Sequence, residues 1–235
     1  LLAGNAFAIH PKNEAALSAP EPAVPIPGFG AVIDNGLIKL GVNFEGHLNI
    51  PGVGPPSKYV GTPAVGLRLI YPPGDPGESE ATAPGCLCEG WGASADAVSG
   101  YANVDVDGGT NNLTLISFAD TPTTAVSVVH VDDGGGPVLE VTHDYHPSAA
   151  TPNLYEVTVT LTNISGAAIA DLRYRRTMDW DIGPTTFNEF VTIDSGTAAD
   201  LAVVTNNGFD TSNPLPAPAV GGIFSVGDRV DDGPQ

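Results

Sequence analysis

Tyr155-Glu156-Val157-Thr158-Val159-Thr160-Leu161-Thr162-Asn163 decides the fold. Its side chains alternate with period two, so Tyr155, Val157, Val159 and Leu161 fall on one face and Glu156 and three threonines on the other. The stretch predicts a β-strand with one face buried and one wet. Working outward, similar runs bounded by Gly, Pro, Asn or Asp occupy 66–71, 113–118, 125–131, 138–145, 172–181, 190–193 and 201–205. Asp34-Asn35-Gly36 separates the apolar runs 31–33 and 37–40, and Asn-Gly tolerates the positive φ angles of a tight hairpin turn. No segment keeps a 3.6-residue period over eleven positions, and the spacing is too irregular for a repeat. The expectation is an all-β chain, a large antiparallel β-sandwich with an extended N-terminal arm.

Residues 1–28 read as that arm: an apolar stretch, a short polar part, and the tether Pro20-Glu21-Pro22-Ala23-Val24-Pro25-Ile26-Pro27-Gly28. Proline at this density favours an extended spacer. Residues 29–235 read as the sandwich domain, and 227–235 as a turn-like run without a closing strand, the mark of a fragment whose last pairing comes from elsewhere. Ala6-Phe7-Ala8 before Ile9 looks like the end of a signal peptide, which supports export. Retained in the chain, the apolar start calls for a structural partner.

Asp and Glu number 27 against 8 Lys and Arg, for a formal net charge of −19. Nothing here neutralises a run of phosphates, so nucleic-acid binding is excluded, and an anionic membrane face repels the chain. No run of 18 apolar residues offers a membrane span. At 235 residues the chain can bury a sizeable core, so stability requires no cofactor.

Several constellations are candidates for chemistry. In Leu172-Arg173-Tyr174-Arg175-Arg176-Thr177-Met178-Asp179-Trp180-Asp181, a strand puts Tyr174, Arg176, Met178 and Trp180 on one face and Arg173, Arg175, Asp179 and Asp181 on the other. The structural reading is a strand edge held by cross-strand ion pairs, with Arg176 either snorkelling or paired beside the aromatic rings. The functional reading makes Asp179, Asp181 and Glu189, beside Trp180, a carboxylate site for sugar or metal. His143 and His146 have opposite strand parity, so one regular strand cannot aim both at a zinc ion. Asp105, Asp107 and Asn111 lie on a Gly-rich turn as calcium ligands would, or bond their own backbone as a hairpin turn. Cys86-Leu87-Cys88 either closes a small disulfide or stays as buried thiols. Asn112-Leu113-Thr114 and Asn163-Ile164-Ser165 match the N-glycosylation pattern.

The strand 155–163, followed by Arg173-Tyr174-Arg175-Arg176 and by Met178-Asp179-Trp180-Asp181 with Pro184-Thr185, Phe187 and Glu189-Phe190-Val191-Thr192, resembles uncharacterised secreted bacterial surface proteins. The resemblance implies export and a β-rich fold and brings no catalytic residue. The strand is also similar to those in the large sandwiches of aldose epimerases, a likeness of fold alone.

Two functions compete. The first is a non-enzymatic extracellular subunit that self-assembles head-to-tail into a filament by donating an N-terminal strand containing Leu1, Leu2, Ala3, Phe7 and Ile9 to the next copy. Leu1, Ala3, Asn5, Phe7 and Ile9 form one face and Leu2, Gly4, Ala6 and Ala8 the other, so both faces suit burial. The second is a secreted carbohydrate-binding or carbohydrate-processing sandwich, with Trp91, Trp180 and Tyr101 as stacking platforms for glycans beside the carboxylates.

Overall fold

The computed structural model describes residues 24–26, 28–70, 77–105, 109–178, 180–184 and 186. They form three antiparallel sheets and, among the described residues, no helix. The first sheet runs β1 (Val24–Ile26), β2 (Gly30–Asp34), β3 (Ile38–Asn43), β4 (Leu67–Ile70), β5 (Glu78–Glu80). In the second, β11 (Tyr155–Asn163), β10 (Leu139–Pro147), β9 (Ala125–Val131) and β8 (Leu113–Asp120) lie side by side in that order. The third has β6 (Gly90–Ala95) between β12 (Leu172–Thr177) and β7 (Val98–Asn103).

The all-β sandwich expected from the alternation is present, with one layer divided. On the four-stranded sheet, Ala125, Ser127, Val129 and Val131 of β9 and Leu139, Val141, His143 and Tyr145 of β10 share one buried face. One end of that face packs Val129, Val131, Leu139 and Val141 against Trp91, Ala93, Ala95 and Ala102 of the three-stranded sheet. The other end packs Ala125 and Tyr145 against Ile33, Ile38, Leu40, Val42 and Leu48 of the five-stranded sheet and its continuation. Burying each Val, Leu or Ile contributes about 1.5–3 kcal/mol, so both contacts are strongly favoured.

Where the two upper sheets meet, Ser127 stands opposite His143 in the sheet below. The turn at Phe44, Glu45 and Gly46 that follows β3 sits above this polar pair. Ser127 Oγ donates to the Phe44 carbonyl at 2.6 Å, Trp91 Nε1 to the Glu45 carbonyl at 2.8 Å, and the Tyr145 hydroxyl to the Gly46 carbonyl at 2.7 Å. One turn thus binds β9, β6 and β10 together. Gly46 has φ +81°, and a Cβ there would lie 2.6 Å from His143 Nδ1, against a ring that is itself buried.

A second buried network fixes the wall formed by β4 and β5. Arg68, fully buried, donates Nε to Glu80 and Nη1 to Glu78 at 2.9 and 2.8 Å, and also reaches the carbonyls of Pro55, Thr62 and Ala64. The loop between β3 and β4 is thereby folded back onto the guanidinium.

Two details refine the sequence reading. The Asn35-Gly36 turn closes the β2–β3 hairpin, with Asn35 Oδ1 accepting from the Leu37 and Ile38 N–H groups and Gly36 at φ +85°. The last part of the tether is not a spacer: Val24–Ile26 pairs with β2, and Pro25 is accommodated because β1 is an edge strand. The predicted strands at 190–193 and 201–205 and the run 227–235 lie outside the described residues.

Gly46→Ala should destabilise the fold by about 1–3 kcal/mol through overpacking against His143 and a strained backbone. The check is the urea midpoint, where an unchanged value would contradict the role assigned to this turn.

Candidate functional site

The two layers part company at β11. A cleft of about 530 Å³ opens between β3 and β4, which contribute Ile38, Leu40, Leu67 and Leu69, and the first half of β11, which contributes Tyr155 and Val157. Met178, Trp180 and Ile182 line it where the chain continues past β12, and Tyr145 and Arg176 reach it from the core. The lining is overwhelmingly apolar. Large hydrophobic side chains stand exposed there, with Leu69 at 37%, Leu154 at 50% and Ile182 at 46% of their full accessibility.

The edge of β11 has a definite polarity. Ser148 N–H donates to the Leu154 carbonyl and Ile164 N–H to the Val138 carbonyl, so in the β10–β11 ladder the even-numbered residues of β11 face β10. The N–H and C=O groups of Tyr155, Val157, Val159 and Leu161 consequently point away from the sheet. Among the described residues no strand pairs with that edge. Val159 and Leu161 pack against the core under the three-stranded sheet, whereas Tyr155 and Val157 pack against the core under the five-stranded sheet and, with Glu156, line the cleft.

Beneath the cleft lies an ion pair. Arg176 Nε is 2.6 Å from Glu89 Oε1, the other carboxylate oxygen accepts from the Leu48 N–H, and both Arg176 Nη atoms reach the Gly46 carbonyl at 3.4 Å. The Arg176 guanidinium also lies over the Tyr145 ring, 5.5 Å from its centroid. Burial pulls the Arg176 pKa down, but the Glu89 carboxylate together with Tyr145 and Tyr174 more than offsets this and keeps the guanidinium charged. Burial pushes Glu89 up, opposed by Arg176 and by the Leu48 N–H. His47 is lowered to about 3, first by burial and then by Arg176; His143 is held well below its ordinary range by burial, Arg176 and His47. Both imidazoles are therefore neutral at neutral pH. His143 Nε2 lies 3.0 Å from the Tyr174 hydroxyl, and its ring packs 4.6 Å from that of Trp91.

The structure separates the sequence candidates. Arg176 is paired beside Tyr145 and Tyr174, as the structural reading of that strand expects. Trp180 lines the cleft, while Asp181 is buried at 5% exposure and donates its backbone N–H to the Ala81 carbonyl at 2.9 Å. Asp179 and Glu189 lie outside the described residues, as do Asp107 and the arm residues Leu1, Leu2, Ala3, Phe7 and Ile9. Trp91 and Tyr101 are not stacking platforms: at 2% and 6% exposure they are core, Trp91 because both its ring and its N–H are satisfied inside. His143 is buried, whereas His146 is half-buried at 3.9 Å from Glu156, so the two do not converge. Asp105 accepts from the Leu87 N–H at 2.9 Å, beside a Cys86–Cys88 disulfide. Asn111 exchanges backbone bonds with Tyr101. Asn112 donates its side-chain amide to the Ser99 carbonyl, and Asn163, exposed, donates to the Ala167 carbonyl. Among the described residues no group of three or more His, Cys, Asp or Glu is placed to hold a metal ion, and no helix is long and apolar enough to cross a membrane.

Glu89 and the cleft residues Leu69, Leu154 and Ile182 escaped the sequence reading. Glu89 follows the cysteine pair in a Gly-rich run with no alternation, and the others are apolar residues that sequence assigns to core by default. No family model matches the chain, nor does any curated protein or solved structure.

The histidines set a pH dependence. With His47 at about 3 in the folded chain and near 6.5 when unfolded, the unfolded chain takes up the proton first. Its stabilising contribution is complete above pH 6.5 and falls as pH drops toward 3, by about 2 kcal/mol at pH 5. The raised carboxyls of Glu45 and Glu89 act with the opposite sign, so comparison with His47→Gln isolates the effect. Urea midpoints from pH 7.5 to 5 should fall more steeply for the parent than for the variant, and parallel profiles would contradict the assignment.

Proposed function

We propose that the protein is an extracellular structural subunit that self-assembles head-to-tail, the apolar strand 1–9 of one copy adding to β11 of the next and filling its cleft. The carrying observation is the conjunction of an apolar cleft with an outward-facing strand edge among the described residues. Strand addition uses both: main-chain hydrogen bonds provide affinity and side-chain pockets provide selection. Each added hydrogen bond contributes about 0.5–1.5 kcal/mol net. Covering Leu69, Leu154 and Ile182 adds the hydrophobic term.

Residues 1–9 carry no charged side chain, which suits a lining with so few polar atoms. Donation from one end of a molecule to a different surface of the next does not close on itself, so it propagates. The acidic, lysine-poor composition supports the reading of a secreted protein. The chemistry requires no cofactor. A glycan-binding role is the second reading. It retains Trp180 at the cleft, but a sugar needs more polar partners than this lining supplies.

Electron microscopy of the purified protein over a range of concentrations should show regular filaments. They should disappear on deletion of residues 1–9 and, independently, in Leu69→Glu, which places a charge in the cleft at a position already exposed to solvent. Circular dichroism should remain that of the parent in both. Monodisperse particles of the parent at every concentration would refute strand donation.

A further inference from the structure

We propose that Asn163 is an N-glycosylation site of the exported chain and that Asn112, which has the same Asn-X-Ser/Thr pattern, is not. Glycosylation presupposes export, the reading proposed above, and is independent of strand addition.

Asn163 is the last residue of β11 and is exposed, as are Ser165, Gly166, Ala167 and Ala168 in the turn that follows. Its Oδ1 accepts from the Ser165 N–H at 3.0 Å and from the Ser165 hydroxyl at 2.8 Å, while Nδ2 donates to the Ala167 carbonyl at 2.7 Å. The first and third positions of Asn163-Ile164-Ser165 thus stand together on the outside, and Ile164 between them is anchored by its N–H to the Val138 carbonyl. Nδ2 has two hydrogens, so a sugar can replace one while the other keeps the bond to Ala167. Gly166 has φ +74°, and a Cβ added there would meet nothing within 4 Å, so the space over the turn is open. Six residues of extended strand, about 20 Å, separate Asn163 from Val157, which leaves the cleft end of β11 clear of the glycan.

Asn112 is placed otherwise. It is half-buried, with Nδ2 donating to the Ser99 carbonyl at 2.8 Å and its own carbonyl accepting from the Asp132 N–H at 3.0 Å. A Cβ added at Gly100 would lie 2.7 Å from that carbonyl oxygen, so closely does β7 approach. On one side Asn111 exchanges backbone bonds with Tyr101, and on the other Thr114 pairs with His130 in the β8–β9 ladder. A glycan on Asn112 has to draw the amide out from against β7, whereas one on Asn163 displaces nothing.

The sugar donor is an oligosaccharide carried on a polyprenyl pyrophosphate. Nδ2 bonds to the anomeric carbon, the bond from that carbon to the pyrophosphate oxygen breaks, the lipid pyrophosphate leaves with the electron pair, and one Nδ2 proton passes to a base of the transferase. An amide nitrogen is a poor nucleophile because its lone pair is delocalised into the carbonyl. The two donors on Asn163 Oδ1 stabilise the negative charge that gathers on that oxygen as the proton departs.

The test expresses the full chain behind a supplied secretion signal in eukaryotic cells, whose secretory pathway contains the transferase, and maps the product by peptide mass spectrometry. A glycan at Asn163 and an unmodified Asn112 are expected, and peptide N-glycosidase should remove the added mass and leave an acid in place of the Asn163 amide. Ser165→Ala should lose the glycan although Asn163 itself remains, and Asn112→Gln should keep it. Retained and secreted chains are both mapped, so poor secretion does not hide the result. A chain bare at Asn163 while a co-expressed control glycoprotein is modified, or one carrying its glycan at Asn112, would overturn the inference.

Discussion

Three successive carbonyls, those of Phe44, Glu45 and Gly46, are carried into the middle of the sandwich, where each must find a donor. Ser127, Trp91 and Tyr145 meet that requirement from three different strands, and Arg176 adds a fourth at Gly46. A layer assembled from two separate sheets has no continuous ladder across its seam. Side-chain bonds to one turn replace that ladder, and the absence of a side chain at Gly46 lets the turn approach His143 closely enough to make them.

The Arg176–Glu89 pair belongs to the same seam. Two charges withdrawn from water are seldom a net gain over apolar residues of the same size, but losing one partner alone is costly. The pair therefore fixes position more than it adds stability: it sets β12 against the turn and the start of β6, and so aims Met178 and Trp180 along the cleft. Neutral His47 and His143 leave that guanidinium as the cation at the seam, with the Glu89 carboxylate to balance it.

Much of the fold was legible. The alternation in 155–163 and 125–131 located β11 and β9 at their observed limits, because each has one covered and one solvated face. β6 and β7 were missed for a physical reason: Gly90-Trp91-Gly92-Ala93-Ser94-Ala95 is buried on both faces, and small residues allow the close packing while erasing the period-two signal. β5 is only three residues, held by the Arg68 network across distances that no local pattern records. The face containing Tyr174 and Arg176 was readable from spacing, but the partner Glu89 comes from the residue just before β6, far away in sequence. The cleft was not readable at all. It arises where two sheets diverge, and its residues look like any core.

The β10–β11 ladder runs for nine residue pairs, from Leu139 with Asn163 to Pro147 with Tyr155, and β9 secures β10 along seven of them. A strand seated beside β11 would transmit tension parallel to these rows. Pulling on such a joint slides every rung at once instead of opening them one after another, so rupture requires many bonds to yield together. The outward-facing edge of β11 is thereby anchored in the part of the sheet best arranged to bear mechanical load.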